Sequence, residues 1–297
     1  MKHTYVIILL LGAMQLFASC SSSEPNDNIT VAVQPRMFSL VNDESRSGSS
    51  ATTLDDVAYS IVYDDNTKEC NLTISNIALG DNPEDPEILY FEKVPWKYPV
   101  RQAGKALIID EPAVTGKNHA GAEVTLTDVL IVYYQTNNMQ QYACSGLYAR
   151  YTVNSRYQVT AFPYGVLAQG TTVSISETTE KKIDYEAIYE LNFFPSIGEA
   201  DLKIVGLQPG EGLSALDVTI KRLGFTLTDD GYSLSMLPST TVEVDGGASD
   251  FALAAFEGEA DLRDQLKLRY TVSAADKYFS IEAFLTPNLA LSFDYKE

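Results

Sequence analysis

Residues 147–162 read LYARYTVNSRYQVTAF, and residues 266–284 read LKLRYTVSAADKYFSIEAF. In both stretches alternate residues are apolar (Leu147, Ala149, Tyr151, Val153 and Leu266, Leu268, Tyr270, Val272), the period of a strand with one buried face. Each run passes through a short polar turn into a second alternating run that ends in Ala-Phe, so each is read as a β-hairpin. The likeness extends backwards. NLTISNIAL (71–79) lies over DLKIVGL (201–207), and VAYSIVY (57–63) lies over AIYELNF (187–193). A whole domain is therefore duplicated. Arg150 and Arg269 are 119 positions apart while Tyr59 and Tyr189 are 130 apart, so the second copy is 11 residues shorter.

The rest of the chain carries the same short-strand pattern. Val57 to Tyr63, the polar turn 64–68 and Glu69 to Leu79 make a hairpin signal, and Thr228-Asp229-Asp230-Gly231 suits a tight turn between Leu216 to Phe225 and Tyr232 to Leu237. Thr171 to Ser176 (TTVSIS) is matched with Leu289 to Tyr295 (LALSFDY), each as the last strand of its copy. Ile29 to Leu40 alternates briefly and is broken by Pro35, which suits an edge strand. With no long amphipathic helical pattern, the expected fold is all-β: two tandem antiparallel β-domains, barrel-like or sandwich. The expected boundaries are 54–176 and 186–297, joined by a linker at 177–185.

Before the first copy lie a signal peptide and a tether. Residues 1–19 combine Lys2, an apolar run from Tyr5 through Leu16 and the small pair Ala18-Ser19, the pattern of a secretory signal too short to span a bilayer. Cys20 follows directly. Leu16-Phe17-Ala18-Ser19-Cys20 resembles the bacterial lipobox, which implies acylation of the Cys20 sulfur and a lipid bilayer as its partner. Residues 20–53 then form the lipidated cysteine and an extension that begins with the polar SSSEPNDN (21–28). The lipobox, the tether and the unit YSIVYDDNTKECNLTISNIALGDNPEDPEILYF resemble exported lipoproteins of Bacteroidetes bacteria, some of which carry calycin-like, lipocalin-type β-domains in tandem. The resemblance implies anchoring to the outer membrane, on its periplasmic or cell-surface side, and supplies no catalytic residues.

The net charge of −19 speaks against nucleic acid as a partner, because phosphate recognition needs clustered Lys and Arg. The chemistry of common enzyme sites is sparse. Only two histidines occur, His3 inside the signal and His119 in a loop sequence, so no Ser/His/Asp set, catalytic residue or zinc cluster can be assembled. Asp64, Asp65, Asn66 and Glu69 lack the spacing of a calcium loop and read as a turn. No metal and no cofactor is expected. Cys70 and Cys144 both fall in the first copy and are candidates for a disulfide in an oxidising space, the buried free thiol being the alternative.

The aromatic cluster Tyr90, Phe91, Trp96 and Tyr98 is the candidate ligand site. Pro95 and Pro99 bracket the single tryptophan, and an exposed platform of this kind stacks on a sugar or peptide; the alternative is that the rings pack over one end of a barrel. These features favour a non-enzymatic, membrane-anchored binding or adhesion module for a glycan, a peptide or a small apolar ligand. A fimbria-type subunit cut after Arg36 or Arg46, and a carboxylate-dependent hydrolase, are the competing readings.

Overall fold

A computed structural model describes residues 29–31, 37–46, 51–80, 85–98, 106–135, 144–245, 251–263 and 265–287. The signal, Cys20 and the polar tether lie outside the described residues, as do Arg36 and the run 289–295. The described residues form an all-β chain of two antiparallel sheets.

The first sheet holds β1 (Ile29–Val31), β2 (Met37–Asp43), β3 (Thr52–Leu54), β4 (Ala58–Asp64), β5 (Glu69–Ile77), β6 (Glu87–Pro95), β7 (Ala106–Asn118), β8 (Glu123–Gln135), β9 (Cys144–Val153) and β10 (Tyr157–Pro163). The second holds β11 (Gly165–Ser176), β12 (Lys181–Asp184), β13 (Ile188–Phe194), β14 (Glu199–Leu207), β15 (Leu216–Leu227), β16 (Gly231–Ser235), β17 (Thr241–Val244), β18 (Ala252–Asp261), β19 (Gln265–Ala274) and β20 (Lys277–Pro287).

In the second sheet β11 pairs with β13 through its first residues and with β20 through its last, which closes an eight-stranded barrel. Gly170 sits where the pairing changes over. A Cβ there would lie 2.0 Å from the Phe284 carbonyl oxygen, so only glycine lets β11 approach β20 this closely. The first sheet is curled, with β1 against β4 at one side and β2 against β10 at the other. Only five residues separate Val31 from Met37, so the two sides lie within about 22 Å of each other. Pro35 falls in this interval, where the second copy runs β11 uninterrupted.

This pairing assigns some strands differently from the sequence reading. Thr171 to Ser176 belong to β11 and the second sheet, not to the end of the first copy. Residues 177–180 turn from β11 to β12 inside that sheet rather than linking two domains. The positions of β11 are matched in the first copy by β1 and β2, and the chain passes from one sheet to the other at Tyr164. Alternation shows that a segment is a strand but not which distant strand will accept its hydrogen bonds, hence the difference.

Register equivalence between the copies is close. Tyr59 and Tyr151 share a hydrogen bond of 2.9 Å inside the first sheet, and Tyr189 and Tyr270 share one of 3.0 Å inside the second. Thr172 bonds Tyr189 at 2.8 Å, and Ser39 occupies the matching place in β2. The concave interior of each sheet is thus filled by side chains around a buried pair of tyrosines, and burial raises the pKa of all four phenols. Both copies also carry the same bulge. Lys93 (φ 54°) donates its backbone N–H to Asn71 Oδ1, as Arg222 (φ 62°) does to Asp201 Oδ1.

The copies differ on their outward faces. At matched positions of the first sheet stand Ile108, Leu130, Val132, Tyr148 and Phe162, all buried. In the second stand Ser233, Glu257, Glu259, Lys267 and Phe284, where Arg269 pairs with Glu257 and Glu282 at 3.1 Å. The apolar outward face of the first sheet is covered by the open end of the second barrel. Phe162 lies 5.7 Å from Phe225, 6.0 Å from Tyr232 and 6.3 Å from Phe193. One contiguous core therefore runs across both sheets, and a second fills the first sheet.

Charges ring this junction. Arg263 of the second sheet contacts Asp110 of β7 at 3.2 Å, and Arg150 of β9 contacts Asp229 at 2.7 Å. Burial pushes the Asp110 pKa up, but hydrogen bonds from Arg263 and Lys97 outweigh it and leave it lowered, so Asp110 is ionised at neutral pH.

Candidate functional site in the seam between the barrels

The sequence-predicted aromatic cluster is not an exposed platform. Trp96 is only 4% exposed and Phe91 is fully buried, whereas Tyr90, its neighbour on β6, points outward and is 44% exposed. Alternation along β6 puts Tyr90 and Phe91 on opposite faces, so the four rings cannot act together. Trp96 packs edge-on against Tyr63 (5.3 Å) and Tyr98 (5.0 Å), and its indole N–H donates to the Glu69 carbonyl at 3.2 Å. The Lys68 ammonium covers the Trp96 and Tyr98 rings at 4.5 and 4.3 Å. Tyr98 donates to Asp65 at 2.9 Å, and its pKa is pushed up to about 12 by burial and by that carboxylate.

The second copy does hold a counterpart of Trp96. The backbone N–H of Trp96 donates to the Lys68 carbonyl at 3.0 Å, and that of Phe225 donates to the Gly198 carbonyl at 2.8 Å. Tyr63 against Trp96 is matched by Phe193 against Phe225 at 5.0 Å. Each sheet thus closes off one end of its interior with an aromatic pair. The pair of the first copy is covered by its own Lys68 and Tyr98, and the pair of the second by the first sheet.

Cys70 is a free buried thiol, its pKa pushed up to about 12 by burial. The Cys70 to Cys144 bridge is not formed. Cys70 on β5 is flanked by Tyr63 and Val94, and β6, β7 and β8 stand between it and Cys144 on β9. Strands lie about 4.8 Å apart in a sheet while a disulfide needs Cα atoms within about 7 Å. Asp64 and Asp65 serve their turn: Asp64 Oδ1 accepts the Asn66 N–H at 2.8 Å, and Asp65 contacts Lys68. His119 is exposed in the turn between β7 and β8. Among the described residues no cluster of His, Cys, Asp and Glu is arranged to hold a metal.

The concave feature with chemical character lies in the seam. Leu147, Tyr148, Phe162 and Pro163 of the first sheet face Val166, Ala168, Phe193, Tyr232, Ala260 and Leu266 of the second around a cavity of about 40 Å³, with Asp261, Leu262 and Gln265 completing the lining. The walls are predominantly apolar, with Asp261 and Gln265 at one side. Tyr148, in the wall, is 2% exposed, and among the described residues its hydroxyl has no hydrogen-bond partner. Burial pushes its pKa up to about 12, so the phenol stays protonated and offers an O–H. An unpaired buried polar group costs about 1–3 kcal/mol, which an acceptor that reaches it would offset.

The signal for this seam is present in the sequence as paired apolar neighbours: Leu107-Ile108-Ile109, Val129 to Tyr133 and Leu147-Tyr148-Ala149. Adjacent strand residues point to opposite faces, so such runs mark strands buried on both sides. Neither protein-family models nor curated proteins give a match to this chain.

Proposed function

We propose that this chain is a non-enzymatic binding lipoprotein, exported and held on the outer membrane through an acylated Cys20, which takes an apolar group of its ligand into the seam between its curled first sheet and its barrel. The observation that carries the binding reading is the predominantly apolar cavity at the junction of the two sheets, with Tyr148, whose buried hydroxyl has no hydrogen-bond partner among the described residues, in its wall. Ligand pockets favour domain junctions and combine apolar walls with a few placed polar groups. The cavity admits only a few heavy atoms, which suits the tip of an aliphatic chain or side chain next to a carbonyl or ether oxygen. A small apolar ligand or a peptide fits this description better than a glycan, whose many hydroxyls would lie unpaired against apolar walls.

Titration of the protein with 1-butanol, followed by NMR chemical shifts, tests the site with a probe of matching size. Tyr148→Phe is expected to leave the fold intact and weaken binding by about 2- to 10-fold, the worth of one hydrogen bond. Val166→Trp, at a half-buried wall position, should abolish it. Unchanged binding in Val166→Trp would place the alcohol elsewhere and remove the seam as the site. The anchor has its own check: a clickable fatty acid fed to cells should label the wild type and not Cys20→Ala, and equal labelling of both would end the lipoprotein reading.

A further inference from the structure

The outward apolar residues of the first sheet are accounted for by the second barrel that covers them. A smaller set in the second copy is left uncovered. Ile175 is 42% exposed on β11, Ile183 is 46% exposed on β12, and Tyr185 just beyond is 64% exposed. Val173, directly opposite Ile183, continues the same outward row. The first copy supplies an internal control. In its matching hairpin Leu40 pairs with Thr53 as Val173 pairs with Ile183, and Asn42 stands where Ile175 does. The fold therefore does not require apolar residues at Ile175 and Ile183.

β12 is also an edge. It pairs with β11 on one side, and among the described residues nothing pairs with the other. An edge of unpaired N–H and C=O groups is a template for another strand, and lysines commonly discourage that pairing. Here the lysines have complements within the same short segment. In an antiparallel pairing of β12 with β12 about a two-fold axis through Ile183, Ile183 meets Ile183, Lys182 meets Asp184 and Lys181 meets Tyr185. Residues directly opposite each other in a ladder share a face, so pairing Ile183 with itself keeps the outward apolar rows of both copies on one side. Ile175 and Val173 of each copy then flank a shared apolar strip, with the Lys181 ammonium against the Tyr185 ring. A one-residue slip would bring Lys181 opposite Asp184 but turn the apolar rows to opposite faces, which selects the first register.

We propose that β12 is a homodimerisation edge, joining two copies of this chain into one continuous sheet with Ile183 on the two-fold axis. Such an isologous contact is closed and does not propagate.

The test uses the full-length chain in detergent. Ile183→Cys, oxidised mildly, is expected to give a disulfide-linked dimer in high yield, because this residue alone faces itself across the axis. Thr53→Cys in the matching hairpin of the first copy should stay monomeric on the same gel. Sedimentation velocity adds a readout independent of cysteine. Wild type should sediment as a dimer at micromolar concentration, Lys182→Glu should weaken association by about 10-fold or more through two like-charge pairs, and the charge swap Lys182→Glu with Asp184→Lys should restore it. A monomeric wild type, equal cross-linking at Thr53→Cys and Ile183→Cys, or no recovery in the charge swap would each overturn the proposal, as would a dimer unaffected by Lys182→Glu.

Discussion

A chain beginning at Glu177 is expected to show no cooperative melting and to collect in aggregates, although it contains every strand of the second sheet except β11. β11 is the strand that pairs with β13 and with β20, so its removal opens the barrel along two edges at once. The exposed edges, Ile188 to Asn192 and Phe279 to Pro287, are apolar in alternation and invite pairing with other chains. A chain beginning at Gly165 restores the closure but uncovers Phe193, Phe225 and Tyr232, which the first sheet buries in the intact protein. It should melt cooperatively, at a lower temperature than the whole, and bind the dye anilinonaphthalene sulfonate. Circular dichroism melting of the two chains side by side decides the matter. Equal cooperative unfolding of both would mean that β11 is dispensable and that the chain divides at residues 177–185.

Trp96→Ala is expected to lower stability by about 3–5 kcal/mol, the range for removing a large buried aromatic. The ring fills one end of the curled first sheet between Tyr63 and Tyr98, and its N–H donates to the Glu69 carbonyl. Trp96→Phe keeps the edge contact and reproduces what the second copy does with Phe225, so a loss of about 1–2 kcal/mol is expected, mainly the Glu69 hydrogen bond and residual space. Urea denaturation of the three proteins measures both values. If Trp96→Ala unfolds within about 0.5 kcal/mol of wild type, as surface substitutions do, the ring is not a structural plug.

The legibility of the chain divides along a physical line. The hairpins 147–162 and 266–284 could be read because alternation and turn residues are local properties of a strand. The equivalence of Tyr59 with Tyr189, and of Tyr151 with Tyr270, could be read because duplication preserves spacing. It led to two hydrogen-bonded tyrosine pairs in matching places. The aromatic cluster around Trp96 was conspicuous for its prolines and its single tryptophan. What the ring does was not legible, since a plug and a platform use the same residue and differ only in what covers it. Its counterpart Phe225 emerges from backbone hydrogen bonds rather than from likeness of sequence.

The seam and its Tyr148 show the same limit from the other side. The paired apolar neighbours of β7, β8 and β9 announce strands buried on both faces, yet nothing local says that the covering surface is the open end of the second barrel. By itself, then, the sequence determined the strands, the hairpin turns, the duplication and the all-β class, because these depend on period and on backbone preferences within a few residues. The tertiary structure decided that β11 closes the second barrel, that Cys70 stays a free thiol and that an apolar cavity opens between the two sheets. Each of these depends on which distant surfaces meet, and burial is a property of the meeting surfaces rather than of either one alone.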